Sequence, residues 1–397
     1  MIRHLLKLVW NRKKTHALIM VEIFLAFVVV FALLSSSIHF GTLYREPLGF
    51  EYDDVWVVSV DRESRRWGWE PEEASRFRRL RNELSAMDAV VHVASATNHP
   101  FSGSQDTWSW EQDGRTIRTE TMQASSSFRD TMELRLVAGR WFDRTDEALD
   151  WEPVVIDTHL SRQMFGEQDP LDRVVGEDPD DDIERRVVGV VETFRRGGHF
   201  VAASSMLFLP AREESDDGVP TRELLVKVAP NTPPQFEQEM VERLQAGAPA
   251  WTFSVRTLAA ARQASLQKRL VPLAIFGTVG AFLLIMVVLG LTGVMWQNVT
   301  RRTREIGLRR ATGASRSSVH RQIVLEVMIT ASFGVAIGAA VAIQIPFVGP
   351  FAFLPVTTAA QAVTGSAVMI LLLAGMCGLY PGWSATRIYP AEALHYE

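Results

Sequence analysis

Leu270–Met295 reads LVPLAIFGTVGAFLLIMVVLGLTGVM, 26 consecutive positions without a charged side chain. An α-helix rises about 1.5 Å per residue, so roughly 20 apolar residues cross a hydrocarbon core of about 30 Å. This stretch is long enough, and Pro272 falls near its start, where a helix tolerates it. It is read as a transmembrane helix over 270–296, and the remaining sequence is assigned outward from it.

Upstream, Ala17–Ile38 is a run of 22 residues broken only by Glu22 and closing in Ser35, Ser36 and Ser37. A cleaved signal peptide has a shorter apolar run and a small-residue cleavage site; neither fits, so 17–38 is read as the first span. Downstream, sixty residues between Glu326 and Arg387 carry no charge and are interrupted by Pro346, Gly349, Pro350 and Pro355. That is too much for one helix. A third span over 323–345 and a fourth over 362–379 are expected, joined by a short outside loop over 346–361. The predicted fold class is an α-helical membrane protein with four transmembrane helices and a large α+β extracytoplasmic domain inserted between helices 1 and 2.

Whole-chain averages conceal this. The 397 residues are 47% hydrophobic and 22% charged with a net charge of -5, unremarkable for a soluble protein. Split by position, the nets are +4 for residues 1–38, -13 for 39–269 and +4 for 270–397. An acidic middle between basic ends argues against a nucleic-acid partner. The lone cysteine, Cys377, excludes an intrachain disulfide, so the outside domain is held by packing.

Orientation follows from the short flanks. The N-terminal tail carries Arg3, Lys7, Arg12, Lys13 and Lys14. The segment 297–322 carries Arg301, Arg302, Arg304, Arg309, Arg310, Arg316 and Arg321, whereas 346–361 carries no basic residue. Both termini, including the tail 380–397, are therefore expected in the cytoplasm, and residues 39–269 outside. Ile2, Leu5, Leu6, Val9 and Trp10 share one face of a helix over 1–16 opposite Arg3, His4 and Lys7, the pattern of an amphipathic helix lying in the inner interface.

In the outside segment, Tyr52–Val60, Glu73–Met87 and Val90–Ala96 read as strand, helix and strand. Trp108–Glu111 and Thr116–Glu120 flank Asp113-Gly114, a hairpin signal. Further strands are predicted at Pro153–Asp157, Arg186–Val191, Met206–Leu209, Glu223–Val228 and Trp251–Arg256, with helices near Thr158–Phe165 and Pro234–Gln245 and an inserted subdomain over about 100–217.

Chemistry-bearing motifs are absent from the sequence. The acidic run Glu177–Glu184 lacks calcium-loop spacing, and His92 and His99 have no ligand companions, so no metal and no catalytic residue is expected. None of the five lysines, Lys7, Lys13, Lys14, Lys227 and Lys268, follows a glycine, so no G-K-[S/T] phosphate loop exists. The chain is not read as an enzyme and needs no cofactor of its own. Glu22 and Glu326 are intramembrane carboxylates close to the cytoplasmic side; an ion pair with Arg301, Arg302 or Arg321 is the expected reason for their presence. Gly334-x-x-x-Gly338 permits close approach of another helix.

Thr303–Ser318 reads TREIGLRRATGASRSS, a basic segment with Gly307 and Gly313 at its bends. It resembles the loop signature of FtsX-type permease domains through Arg304, Glu305, Ile306, Gly307, Arg309, Arg310, Ala311, Gly313, Ala314 and Ser315, followed by a helix matching at Glu326, Gly334 and Gly338. The ending ATRIYPAEALHYE resembles the family's closing motif, with His395 where arginine is usual. Ser127–Phe142, Pro153–Pro170 and Arg186–Arg195 resemble the periplasmic core domain of MacB-like permeases.

The resemblance implies the permease subunit of an ABC transporter of the mechanotransmission type in a bacterial inner membrane. It further implies a second permease chain, as homo- or heterodimer, and a separate cytoplasmic ATPase carrying ATP and Mg. That ATPase would dock on the cytoplasmic coupling loop 297–322, through Arg304, Glu305, Ile306, Gly307, Arg309, Arg310, Gly313 and Ser315, with Arg309 and Arg310 assisting, and move the outside domain through the first two helices. An adaptor or outer-membrane component would complete an export route for a peptide, antibiotic or lipid-linked molecule. The alternative is an FtsX-like relay that activates a periplasmic cell-wall hydrolase. A receptor without an ATPase is a third reading, and the Arg-rich loop speaks against it.

Overall fold

The computed structural model describes residues 13–62, 69–112, 114–176, 183–211, 222–301, 303–347 and 354–385. The amphipathic segment up to residue 12, most of the acidic run, the hairpin residue Asp113 and the closing motif from Thr386 onward lie outside these residues. Two compact units separate: Leu43–Arg269, and Met1–Thr42 with Leu270–Glu397.

The Leu43–Arg269 unit is built on one mixed sheet. Its strands are β1 (Val55–Asp61), β2 (Val90–Ala96), β3 (Asp106–Gln112), β4 (Arg115–Ala124), β5 (Leu136–Gly139), β6 (Glu152–Asp157), β7 (Arg185–Val191), β8 (Met206–Pro210), β9 (Glu223–Val228) and β10 (Thr252–Thr257). Their order is β10-β1-β9-β2-β4-β8-β6-β7-β5, with β3 paired to β4 outside this path. The β4–β8 and β6–β7 pairs are parallel and the others antiparallel. The strands of the 100–217 segment continue the sheet across the β2–β4 pair, where Ala96 faces Ala124.

Side chains alternate between the two faces, as the strand period of two requires. Val55 and Val57 of β1, Leu225 of β9, Val155 of β6 and Met206 and Phe208 of β8 enter one core with Phe101, Phe128, Trp141 and Phe194. Trp56, Val58, Leu224 and Val226 face the other side, covered by α2 (Pro71–Ser85) and α5 (Phe236–Gly247) through Phe77, Leu80, Leu84, Met240 and Leu244. At the far end of that side, Val154, Ile156, Val187 and Leu207 pack with Leu160 of α4 (Thr158–Phe165). Two short elements carry no periodic signal in sequence, α3 (Phe128–Thr131) and β5; each has four residues, too few for an apolar pattern to stand out from its surroundings.

The second unit is helical. Helices long and apolar enough to cross a membrane cover Ile19–Arg45, Leu258–Arg301, Arg316–Ala342 and Val356–Leu379. They belong to α1 (Lys13–Arg45), α6 (Leu258–Arg301), α8 (Arg316–Ala342) and α9 (Val356–Ala385), and α7 (Thr303–Ala311) lies between α6 and α8. α6 begins twelve residues before the charge-free run at 270, because Leu258 and Ala261 are buried in the sheet's aromatic core and Thr257 Oγ1 accepts the Ala260 N–H at 3.1 Å. α1 buries one stripe, Ile19, Ile23, Ala26, Phe27, Val30 and Phe31, against Val287, Leu291 and Met295 of α6, Val327, Ala331 and Val335 of α8 and Ala362, Ile370 and Ala374 of α9. Ile275, Phe276, Phe282, Ile285 and Leu289 of α6 are exposed, as expected of a lipid-facing surface.

Candidate functional site

The Arg-rich segment folds as a helical hairpin. α7 ends where Gly313 takes φ +101°, a left-handed conformation costly for a residue with a Cβ. The Ala314 N–H then reaches back to the Arg309 carbonyl at 2.9 Å. Ser315 caps α8, its Oγ accepting the Ser318 N–H at 3.2 Å. Ile306 and Val319 are buried together against Val299 and Ile323, so α7 is packed onto α8. Arg309 Nη1 donates to Gln322 Oε1 at 2.9 Å across the hairpin.

With Ile306 and Gly307 turned inward, the outer surface of α7 presents Arg304, Leu308 and Arg309, and Arg316 is exposed at the start of α8. Glu305 and Arg310 lie on α7. A rigid cationic face with one exposed leucine is chemically suited to an acidic protein surface with an apolar pocket.

The glycines predicted for packing receive α1. A Cβ on Gly334 would meet Ile23 Cγ2 at 2.7 Å, and one on Gly338 would meet Phe27 Cδ1 at 2.6 Å. Glu326 is buried on the same stripe of α8, between Val319 and Val327. Glu22 lies against Gly290 of α6, where an added Cβ would stand 2.6 Å from Oε1. Arg301 and Arg321, considered as partners for these carboxylates, are exposed, and Arg302 lies outside the described residues.

The sequence matches known families along most of the chain. The family described as "MacB-like periplasmic core domain" matches residues 17–243, and "FtsX-like permease C-terminal" matches residues 277–390. The chain belongs to the MacB/FtsX family of membrane permeases. Among curated relatives of this MacB/FtsX-type permease, the macrolide export ATP-binding/permease protein MacB of Neisseria meningitidis serogroup A is 24% identical over 311 residues, covering 76% of this chain and 47% of that protein. MacB of Bordetella avium is 27% identical over 281 residues, covering 66% and 41%. The chain thus spans about half the length of the curated relatives it matches. Among solved structures, the periplasmic region of MacB from Actinobacillus actinomycetemcomitans is similar at 15% identity and a TM-score of 0.40, covering 56% of this chain and 97% of that one.

In the permease's Leu43–Arg269 unit, the buried polar side chains form networks. His99 is 1% exposed; its Nδ1 contacts the Pro100 carbonyl at 2.6 Å and its Nε2 contacts Arg256 Nη2 at 2.6 Å. A carbonyl only accepts and a guanidinium only donates, so His99 is the neutral Nδ1–H tautomer. Burial, followed by the charges of Arg256 and Arg196, lowers its pKa to about 4. With both ring nitrogens engaged it cannot ligate a metal, and among the described residues no group of three or more His, Cys, Asp or Glu side chains could hold one. Arg196 pairs with Glu120 at 2.8 Å, and Ser204 Oγ donates to the same carboxylate at 2.8 Å.

Arg195 had no distinguishing signal in the sequence beyond ending the Arg186–Arg195 motif. It is 3% exposed, and its guanidinium donates to four backbone carbonyls: Leu43 at 2.8 Å, Glu46 at 2.9 Å, His199 at 3.1 Å and Val201 at 2.8 Å. Such a set is assembled only by folding. A shallow cleft of about 440 Å³ is lined by Val91, His92, Arg129, Asp130, Glu133, Leu134 and Lys227. Its charges pair among themselves, Arg129 with Asp130 at 3.2 Å and Lys227 with Glu133 at 2.8 Å.

Proposed function

We propose that this chain is the permease subunit of an ABC transporter whose ATPase, with ATP and Mg, resides on a partner and docks on α7 and its turn into α8. Hydrolysis there would move the sheet domain to extrude a periplasmic substrate: a peptide, an antibiotic or a lipid-linked molecule. Both termini and α7 would be cytoplasmic, the sheet domain periplasmic, and a second permease chain would complete the assembly in the bacterial inner membrane.

The observation that carries this reading is the α7–α8 hairpin. A loop serving only to anchor the chain by positive charge needs no buried Ile306–Val319 contact, no Ser315 cap and no Arg309–Gln322 bond across it. The curated relatives are named ATP-binding/permease proteins for macrolide export, which supports both the ATP coupling and the efflux direction. These 397 residues contain no G-K-[S/T] sequence, so the nucleotide site lies outside them. The large ten-stranded sheet favours export over a cell-division relay, whose outside domain is much smaller.

The test is charge reversal on the hairpin. Purification of tagged Arg309→Glu protein in mild detergent is expected to lose an ATPase that wild type retains, while Arg135→Glu, on the sheet domain, retains it. Equal retention of the ATPase by both variants would falsify the docking assignment.

A further inference from the structure

We propose that Arg195 is the positioning residue that fastens the last turn of α1 to the sheet domain, so that displacement of this helix end is delivered to β7 and the aromatic core. The inference rests, for its consequence, on the motion-transmitting reading above. Its geometry lies wholly within the Leu43–Arg269 unit.

A helix ends with four carbonyls that have no intrahelical N–H partner, and its C-terminus carries partial negative charge. At α1 this end is closed by a cation. Arg195 Nη1 donates to the carbonyls of Leu43, in the last turn, and Glu46, just beyond it, while Nη2 donates to His199 and Val201. The backbone closes the same junction, because the Arg195 N–H donates to the Leu48 carbonyl at 2.9 Å. Only a planar fork can serve two diverging pairs of acceptors; an ammonium on a flexible stem cannot span them.

The other side of the clamp is rigid. Arg195 follows Phe194, which is fully buried among Phe50, Phe128 and Phe208, and the segment leading to it is β7. The Tyr44 ring lies 4.9 Å from His199 and 5.9 Å from Phe200, so the same loop grips the helix end by aromatic contact. Leu258 and Ala261, in the first turns of α6, enter the core that holds Phe194, and the Arg262 guanidinium sits over the Tyr52 ring at 4.8 Å. Apolar packing can slide as side chains repack, whereas charge-assisted hydrogen bonds to the Leu43 and Glu46 carbonyls, from a guanidinium anchored at His199 and Val201, define one register. That difference assigns the register of the Leu43–Glu46 turn on the sheet domain to Arg195.

The experiment uses the full chain in nanodiscs with Cys377→Ser, spin labels on Arg45→Cys and Glu237→Cys for the helix end against the domain, and labels on Thr107→Cys and Glu237→Cys for the domain alone. Wild type is expected to give one narrow distance for each pair. Arg195→Met is expected to lose the narrow peak of the first pair and keep that of the second, with Arg195→Lys recovering part of it. A narrow first-pair peak in Arg195→Met, or a broad one in wild type, overturns the proposal. Where Arg195→Met broadens both pairs, Arg195→Lys is read instead, and equal broadening of both pairs there reduces Arg195 to a fold-stabilising role and also overturns it. No ATPase is present in this measurement, so its outcome is independent of the Arg309→Glu result.

Discussion

Gly338 of α8 takes the Phe27 ring of α1 at a distance that leaves no room for a side chain, since a Cβ there would stand 2.6 Å from ring Cδ1. Gly334, one turn away, meets Ile23 in the same manner. The two glycines set the separation of α1 and α8. Gly338→Leu is expected to destabilise the bundle by about 1–3 kcal/mol through overpacking. Thermal unfolding in detergent measures this, with Gly293→Ala as the neutral comparison because nothing lies within 4 Å of that site.

His99 is expected to make the sheet domain acid-sensitive. Its folded pKa of about 4 lies below the ordinary 6.5, because burial disfavours the imidazolium, so the unfolded chain binds the proton more readily. Its contribution is fully present above about pH 6.5 and is lost as pH falls from there towards 4. The loss approaches on the order of 3 kcal/mol, as each pKa unit is worth about 1.4 kcal/mol. Melting curves between pH 7.5 and 4.5 should show a shallower acid limb for His99→Gln than for wild type; identical limbs would remove His99 as the cause.

Asp157 terminates β6 and caps α4. It is fully buried, and its Oδ1 accepts the Leu160 N–H at 2.8 Å and the Met206 N–H at 3.1 Å, joining α4 to β8. Asp157→Ala strands two buried donors and is expected to cost about 2–4 kcal/mol. Asp157→Asn keeps a side-chain oxygen at the cap and should cost less. Burial raises the Asp157 pKa to about 6, so ionisation weakens the fold as pH rises from about 4 to 6, and the Asn variant should lack that slope. Urea unfolding at pH 4.5 and 7.5 reads both effects.

Leu308 and Ile306 separate docking from folding on α7. Leu308 is 55% exposed and Ile306 is 8% exposed. Leu308→Asp is expected to reduce ATPase co-purification with no change in the melting temperature of the membrane unit. Ile306→Asp buries a charge in the hairpin and should lower both. Co-purification unchanged by Leu308→Asp would exclude Leu308 from the docking surface.

The parts of this protein legible in sequence are those with a period or an exclusion. Long apolar runs holding at most one carboxylate marked four helices, and the strands read at Val90–Ala96 and Glu223–Val228 coincide with β2 and β9. The glycines at 334 and 338 pointed to a packing face, but their partner could not be named, because the spacing is the same whether α1, α6 or lipid lies opposite. Nothing in the sequence separated Arg195 from its neighbour Arg196. One collects four carbonyls and the other pairs with Glu120, and the difference arises from partners far away along the chain.

Solvent preference alone, then, determined the membrane spans, the placement of a charge-rich domain between the first two, and the basic segment before the third. Each is a local balance between apolar burial and the cost of desolvating charge, and such a balance is written in consecutive residues. Only the tertiary structure decided that one sheet runs through the whole of the outside domain, that α1 is the helix the glycines receive, and that a single buried guanidinium closes the end of α1. Those are long-range hydrogen-bond and packing choices, whose free energy depends on groups brought together by folding and has no signature in any one stretch of chain.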